Sequence, residues 1–315
     1  MWKLKILIVG NGKHVKKRIL NSIIKLPKLT ELFVLDRNIS KKIHENNITY
    51  LNYDDLFSLE SSFDSIIIAT IPSTHIEIFN KLQKFSEKFI IEKPLTTIPK
   101  YLNEENIFNL NKDKIIFDSL MYLHHPLWEE AKKVFDNEKI IDVKASFTIP
   151  ELDKSDYRYD KSKGGGFTFD LGIYPISLFF NLQNRDYVIE NYEINYLDNF
   201  NIDLNGSMKI KIDNGILFES TWGVTGNYKN ELLLKAEDKE YYFPFIFTKS
   251  DDYKSYYEIR NTNKTEKVIV GVFDQFYEMY NKYTTQGFKP DNDYTTKTNL
   301  SYNFIFDLLN KKNFS

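Results

Sequence analysis

The sequence contains no cysteine among its 315 residues. This absence excludes disulfide bonds, thiol catalysis and zinc sites built from thiolates, and it disfavours a zinc-type alcohol dehydrogenase. The adjacent His124 and His125 would not share one face of a helix. Because no spacing of aspartate or glutamate completes a zinc site around them, we expect no metal site.

Long apolar runs and an excess of one charge are also missing. No run approaches the roughly 20 residues that cross a bilayer, and the apolar start of the chain is too short for a signal peptide. The net charge is -2, with acidic and basic residues interspersed, so no basic block indicates nucleic-acid binding. We expect a soluble, cytoplasmic protein with no membrane or nucleic-acid partner.

The chain is long enough for two packed domains, since single cores rarely exceed about 250–300 residues. Continuous apolar runs, typical of strands buried on both faces, lie at 4–9, 32–35, 66–69, 89–91 and 115–117. Helical spacing between several of these runs predicts a parallel, doubly wound sheet. After about residue 122, alternating segments predict a second α/β domain with an open, mostly antiparallel sheet and helices on one face. We place the domains at 1–122 and 123–315.

A glycine motif, Gly10-Asn11-Gly12-Lys13-His14-Val15, separates the first strand from a helical pattern. This position suits a dinucleotide loop, in which one glycine allows the tight turn and the next lets the backbone approach a pyrophosphate. Val15 replaces the third glycine of that fingerprint. The alternative is an Asn-Gly hairpin turn, which the helical periodicity after Val15 disfavours. The predicted cofactor-binding residues here are Gly10, Asn11, Gly12, Lys13 and His14.

Asp36 ends the second predicted strand. An acid at this position typically bonds the adenosine ribose and selects NAD, whereas the adjacent Arg37 could hold a 2′-phosphate. A helix or turn cap is the alternative role for Asp36. We assign both residues to cofactor binding and predict NAD, with NADP possible.

Two further segments follow predicted strands, where ligands bind in open α/β sheets. Thr70, Pro72 and His75 are predicted to contact a nicotinamide ribose, although a packed or capping role suits His75 better. Glu92 and Lys93 end the strand 89–91, and we assign both to cofactor binding. Lys93 is also placed where a substrate would meet the cofactor.

The segment from Gly164 to Pro175 carries three glycines, then Asp170 and Tyr174. On a helix, residues four apart share a face, so these two side chains should point the same way. Pro175 is expected to bend that helix. A tyrosine, with a reference pKa of about 10, is a poor base near neutral pH unless an ammonium such as that of Lys93 stabilises its phenolate. The alternatives are a core tyrosine and a first-turn acid.

With these motifs in this order, the chain resembles the glucose-fructose oxidoreductase/inositol dehydrogenase (Gfo/Idh/MocA) family along nearly its whole length. The resemblance implies a Rossmann domain joined to an α/β domain whose open sheet commonly mediates oligomerisation. Most members oxidise or reduce a hydroxyl or carbonyl on a sugar, cyclitol or related compound. Tyrosine at position 174 resembles the branch of glucose-fructose oxidoreductase, dihydrodiol dehydrogenase and xylose dehydrogenase.

The resemblance extends to segments near the site. Asp118 to Pro126 is similar to a segment of that branch, but Leu123 stands where the branch has an arginine. Tyr157-Arg158-Tyr159 is similar to a family segment that carries an arginine near the site. The implied catalytic residues are Lys93, Asp170 and Tyr174, and the implied substrate-binding residues are Lys93, Tyr122, Arg158, Asp170 and Tyr174.

These observations predict an NAD(P)-dependent dehydrogenase or reductase that acts on a CH–OH group of a sugar or sugar derivative. We expect a homo-oligomer formed through the C-terminal sheet. Two alternatives stay open. One is a catalytically silent NAD(P)-binding sensor or scaffold, and the other is an NAD-dependent glycosidase of the same fold.

Overall fold

The apolar runs of the N-terminal part form strands. The computed structural model describes residues 4–59, 61–101, 107 and 113–310. Its first strands are β1 (Leu4–Val9), β2 (Leu29–Leu35), β3 (Ile43–Glu45), β4 (Ile48–Leu51), β5 (Ser65–Ile68), β6 (Lys88–Ile91) and β7 (Ile115–Asp118). The helices between them are α1 (Leu20–Ile23), α2 (Tyr53–Phe57) and α3 (His75–Leu82), and a π-helical turn, Val15–Ile19, leads into α1.

The first seven strands form one sheet in the order β3-β4-β2-β1-β5-β6-β7. All neighbours are parallel except β3 and β4. Ile66, Ile67 and Ile68 of β5 are fully buried, because helices cover both faces of such a sheet. The predicted doubly wound parallel sheet is confirmed. Strands β3 and β4, which the pattern analysis missed, are short and extend its edge.

The remaining chain supplies a second sheet and longer helices. The strands are β8 (Ile140–Ile149), β9 (Tyr187–Leu197), β10 (Ile202–Ile212), β11 (Leu217–Val224), β12 (Lys229–Ala236), β13 (Glu240–Pro244), β14 (Lys254–Arg260) and β15 (Thr265–Val272). The helices are α4 (Pro126–Asn137), α5 (Ile173–Leu182), α6 (Gln275–Thr284) and α7 (Asn292–Asn310). Even α7, at 19 residues, lacks the apolarity of a membrane span, and so does every other helix in the described ranges.

The second sheet has the strand order β15-β14-β13-β12-β8-β11-β10-β9. Only β8 and β11 pair in parallel, so the sheet is mixed and mostly antiparallel, as predicted. Side chains along β12 alternate between buried and exposed, because one face of such a sheet packs on the core. Helix α5 packs on β8 and β11 and is buried on nearly all sides.

The chain divides into two compact units, and each unit combines two segments from different parts of the chain. The first is Met1–Ser119 with Phe276–Thr295, and the second is Leu120–Gln275 with Thr296–Ser315. The sequence-based division instead assigned everything after residue 122 to one domain. Aromatic packing explains the difference, since the Tyr283 ring stacks on Phe117 with centroids 3.8 Å apart. Such a contact between distant segments leaves no local pattern in the sequence.

Candidate active site

The glycine loop joins β1 to a helical turn. Gly10 has φ +112, and a Cβ at this position would lie 2.5 Å from the carbonyl oxygen of Ala69, so only glycine fits. A Cβ on Gly12 would meet nothing within 4 Å, which leaves that side of the loop open. The Lys16 amide donates to the Gly12 carbonyl at 3.1 Å and begins the helix. The hairpin alternative is therefore wrong, and the loop has the strand–turn–helix geometry of a pyrophosphate site.

Asn11 connects this loop to the end of β2. Its amide nitrogen donates to Asp36 at 3.0 Å, and the Asn38 amide donates to the same carboxylate at 2.9 Å. Partial burial raises the pKa of Asp36, but these two hydrogen bonds outweigh it and leave the pKa below its ordinary value. The Asn11 side-chain oxygen is buried and has no hydrogen-bond partner among the described residues. An ionised acid beside an unsatisfied acceptor fits a hydroxyl-rich cofactor, while Arg37 is exposed.

His75 links two turns at the carboxyl edge of the sheet. The imidazole is fully buried, with Nδ1 3.0 Å from the Pro94 carbonyl and Nε2 3.2 Å from the Thr70 carbonyl. Burial lowers the pKa of His75 more than these carbonyls raise it. This placement favours the packing role over direct cofactor contact. Pro72 begins a short helical turn, Pro72–Thr74.

Glu92 is a buried carboxylate directly after β6. Its Oε1 accepts hydrogen bonds from Ser119 Oγ at 2.7 Å and from Tyr280 Oη at 3.3 Å. Its Oε2 lies 3.5 Å from His14 Nε2. The predicted cofactor residues His14 and Glu92 therefore contact each other. Sequence reasoning found neither Ser119 nor Tyr280, because they come from distant segments.

Lys93 follows Glu92 at the same edge of the sheet and is partly buried. It belongs to the first unit, whereas Arg158, Asp170 and Tyr174 belong to the second. The convergence of Lys93 with Tyr174 on one site is a prediction from the sequence.

The glycine triplet has a packing role. A Cβ on Gly165 would lie 2.5 Å from the Arg158 carbonyl oxygen. Gly166 has φ +124, and its Cβ would lie 2.5 Å from Asp203 Oδ1. The same Asp203 carboxylate accepts from the Thr168 amide at 2.5 Å. The glycines therefore let the segment around Arg158 and the side chain of Asp203 pack against the start of the following helix.

Arg158 and Asp170, both predicted near the substrate, form an ion pair. Arg158 Nε donates to Asp170 Oδ2 at 2.6 Å, and Arg158 Nη1 donates to Asp156 at 3.1 Å. Burial lowers the pKa of Arg158. The opposing effect of the Asp170 charge is larger, so the pKa of Arg158 is above its ordinary value. The structure thus gives Asp170 a cationic partner within its own unit.

Tyr174 and Asp170 do not share one regular α-helix, which corrects the predicted spacing. Thr168–Gly172 is π-helical, and the α-helix begins only at Ile173. Pro175 has no N–H for the helical ladder, and its ring opposes the carbonyl four residues before. The wider π-turn ends at Gly172, three residues before Pro175. Single π-turns within helices are frequent at functional sites.

The Tyr174 ring is 2% exposed and lies in an aromatic cluster. Its centroid is 4.9 Å from that of Phe147, 5.6 Å from Phe247 and 5.9 Å from Tyr122. Its hydroxyl donates to the Met121 sulfur at 3.6 Å, and a thioether is a weak acceptor. These neighbours come from separate elements, and no local spacing reveals them.

Tyr122, predicted to bind substrate, is fully buried. Its hydroxyl lies 2.8 Å from Ser177 Oγ, and its ring meets Trp128 edge-on at 5.7 Å. This environment favours support of the Tyr174 ring over direct substrate contact.

An open cavity of about 510 Å³ adjoins the segment that carries Arg158. Its lining combines two aromatic rings, three lysines, two aspartates and other polar side chains, namely Lys154, Ser155, Asp156, Tyr159, Asp160, Lys161, Ser162, Lys163, Phe200 and Asn201. The Tyr159 and Phe200 ring centroids are 5.7 Å apart, and Tyr159 is buried whereas Phe200 is exposed.

Residues 4–110 match a family described as an oxidoreductase family with an NAD-binding Rossmann fold. A dTDP-3,4-didehydro-2,6-dideoxy-alpha-D-glucose 3-reductase from Actinomadura kijaniata is 23% identical over 218 residues, which cover 68% of this chain and 65% of that protein. The reductase of the same name from Saccharopolyspora spinosa is 20% identical over 215 residues, 67% of this chain and 65% of its own. The chain thus spans about 65% of the length of these curated relatives.

Two solved structures share the fold over nearly the full length. A 3-ketoreductase from Actinomadura kijaniata, in complex with NADP and TDP-benzene, has a TM-score of 0.84 at 18% identity and 96% coverage of both chains. An aldose-aldose oxidoreductase from Caulobacter crescentus, complexed with glycerol, has a TM-score of 0.80 at 14% identity and 97% coverage of both chains. At these identities the likeness establishes the fold alone.

Proposed function

We propose that the chain is a member of the Gfo/Idh/MocA oxidoreductase family that transfers hydride between a nicotinamide cofactor and a CH–OH or C=O group of a sugar derivative. The match of residues 4–110 to that family's NAD-binding Rossmann fold supports this proposal. One observation carries this proposal. The carboxyl ends of neighbouring parallel strands bring together the open glycine loop, the ionised Asp36 and the Lys93 turn. Ligands bind at this edge in open α/β sheets.

The side chains divide the work of a reduction as follows. When bound, the cofactor supplies hydride to the carbonyl carbon. Tyr174 gives its phenol proton to the carbonyl oxygen, and the Lys93 ammonium stabilises the negative charge that develops there. A substrate oxygen can replace the weak Met121 contact of Tyr174. Asp170 and Arg158, held as an ion pair, offer an acceptor and a donor to neighbouring hydroxyls. Oxidation runs the same steps backwards.

We propose a nucleotide-linked sugar as the substrate class. The curated relatives in Actinomadura and Saccharopolyspora are reductases of a dTDP-linked sugar by name. The cavity beside Arg158 supports the same class, because its lining includes the exposed ring of Phe200 and the exposed Lys161. An aromatic ring stacks on a base, and a lysine attracts phosphate.

The activity is tested by following NADH and NADPH absorbance with purified protein and a panel of dTDP-linked keto sugars. We expect turnover, and we expect Lys93→Met to lower kcat by roughly 100-fold or more while cofactor affinity stays near wild type. Lys81→Met, on an exposed helix face, is the matched control. Undiminished turnover in Lys93→Met would overturn the assignment of Lys93.

The two alternatives give different results in the same experiment. NADH binding without turnover on the panel would favour a sensor or scaffold. Cofactor that survives purification, with no net reduction during cleavage of a glycoside, would favour the glycosidase. Either outcome would replace the proposed reductase activity.

We also propose a homo-oligomer formed through the second sheet. Apolar side chains are exposed on several of its strands, including Ile141 at 40%, Val188 at 65%, Ile269 at 49% and Val272 at 54%. Ile269 and Val272 both lie on the edge strand β15, and exposed apolar residues that cluster on one element often mark an interface. A monomer mass by light scattering at micromolar concentration would contradict this proposal.

A further inference from the structure

Glu92 is a buried carboxylate, placed one residue before Lys93. Its exposed fraction is 7%. A buried carboxylate is costly unless hydrogen bonds or a counter-charge compensate it. Three side chains provide that compensation here, and all belong to the same unit as Lys93: His14, Ser119 and Tyr280.

The donors come from three separate elements. His14 lies in the glycine loop, Ser119 follows β7, and Tyr280 lies on α6. The same helix supports the other two donors, because Phe276 packs edge-on against the His14 ring at 5.4 Å and the Met279 sulfur lies 3.6 Å from Ser119 Oγ. Positions 276, 279 and 280 share one helix face, so α6 closes this side of the carboxylate.

The balance of these contacts keeps Glu92 charged. Burial raises the pKa of the carboxyl, but His14, Ser119 and the Lys93 ammonium together lower it below its ordinary value. A fixed negative charge therefore lies next to the lysine that the reaction needs. In a partly buried site this attraction is screened less than in water.

We propose that Ser119 and Tyr280 are positioning residues for Lys93, which act by holding Glu92 in place as a carboxylate whose charge anchors the Lys93 ammonium. The proposal rests on the proposed function, since it assumes that Lys93 serves the reaction. Neither Ser119 nor Tyr280 touches the substrate in this scheme. Their effect reaches the reaction only through Glu92.

The first test compares two tyrosines of the same helix. Tyr280→Phe removes the hydroxyl that donates a hydrogen bond to Glu92 and keeps the aromatic ring. We expect kcat to fall roughly tenfold, because hydrogen bonds to charged groups are among the stronger ones. The KM for cofactor should change less than about twofold. Tyr283→Phe is the control, because Tyr283 is equally buried on α6 but its ring stacks on Phe117. Equal kcat losses in both variants would overturn the proposal.

The second test reads the charge of Glu92 from the pH profile of kcat. When a hydrogen-bond donor to Glu92 is removed, the effect of burial on its pKa is less opposed, and the Glu92 carboxyl binds a proton at higher pH. The acidic limb of the profile should therefore move upward by about half a unit or more in Tyr280→Phe and in Ser119→Ala, whereas Glu92→Gln should lose that limb. His14 Nε2 also lies 3.5 Å from this carboxylate, so His14→Gln is measured alongside. A purely structural role would lower the melting temperature and leave the limb in place.

A readout without turnover separates this proposal from the proposed function. Carbon-13 NMR of the Glu92 carboxyl, assigned with Glu92→Gln, gives its titration directly in the cofactor-free protein. A Glu92 titration that moves upward in Tyr280→Phe supports the positioning network even if no sugar is turned over. An unmoved titration refutes the network even if the reductase activity is found.

Discussion

At the scale of single residues, the two predicted catalytic groups of the second unit differ in what surrounds them. Asp170 forms a charged pair with Arg158 at 2.6 Å, as a polar site requires. Tyr174 is surrounded by aromatic rings and a thioether, which is also how a core tyrosine is held. The sequence offered both readings of Tyr174, and a single substitution decides between them.

Tyr174→Phe removes one hydroxyl and keeps the aromatic packing. If Tyr174 is the acid, kcat should fall by a factor of roughly 100 to 10,000, while the melting temperature changes little because the sulfur contact is weak. Steady-state kinetics and thermal unfolding give both numbers. Tyr187→Phe, whose ring packs on Phe179 in the same unit, is the control. Wild-type kcat in Tyr174→Phe would favour the core role.

At the scale of elements, the sequence predicted the main strands of the first sheet close to their observed bounds. The apolar runs at 4–9, 32–35, 66–69, 89–91 and 115–117 overlap the observed β1, β2, β5, β6 and β7. The short β3 and β4 were missed because three or four residues carry too little periodicity. The π-turn Thr168–Gly172 was also missed, since Gly172 packs closely against Trp222 from a distant strand.

Gly166→Ala tests the packing role of the glycine triplet. Gly166 combines a positive φ with a close approach to Asp203, whereas Gly215 has a positive φ of +86 and open space around its Cβ position. The control Gly215→Ala should cost about 1–2 kcal/mol from backbone strain alone. Gly166→Ala should cost roughly 1–3 kcal/mol more, from overpacking. Equal losses in urea-induced unfolding would refute the packing role.

His125 makes the stability of the start of α4 depend on pH. Its Nδ1 accepts a hydrogen bond from the Leu127 amide at 2.9 Å, which only a deprotonated nitrogen can do. Burial, then the nearby Lys249 charge, lowers the pKa of His125 to about 3. The unfolded chain binds a proton below about pH 6.5, and the folded chain does so only near pH 3.

Between pH 6.5 and pH 3, the free energy of unfolding should therefore fall by up to about 1.4 kcal/mol per pH unit from this group. His125→Asn keeps an acceptor at the helix start and should flatten that dependence in denaturant unfolding at pH 7, 6 and 5. The exposed His44→Asn should keep the wild-type slope. A wild-type slope in His125→Asn would contradict the assignment.

At the scale of the whole molecule, the predicted fold class is confirmed by the structural likeness, and residues 4–110 match an oxidoreductase family with an NAD-binding Rossmann fold. The division into units is not the predicted one, because residues 276–295 return to the first unit. That return supplies Tyr280 to Glu92, so a segment far along the chain helps to build the N-terminal site.

The preference between NADH and NADPH can be measured as the increase in the free energy of unfolding that each cofactor gives to the whole protein. Because Asp36 is ionised at the end of β2, NADH should bind more tightly than NADPH. At a concentration of 100 Kd, NADH should add about 2.7 kcal/mol to the free energy of unfolding, seen as a higher melting temperature. Asp36→Ala should reduce the difference between the two cofactors, and Asp213→Ala, at a turn of the second unit, should not. A stronger effect of NADPH on the wild type would make NADP the cofactor.

The sequence by itself determined the elements and the local motifs, because apolar periodicity, glycine turns and strand ends act over a few neighbouring residues. Gly10, Asp36 and Glu92-Lys93 could be placed at strand ends in this way. Only the tertiary structure decided which side chains meet, as Asn11 does with Asp36, Ser119 and Tyr280 with Glu92, and Arg158 with Asp170. Those contacts join residues from 12 to 188 positions apart. Contacts at such separations depend on how whole elements pack, which no short window of sequence records.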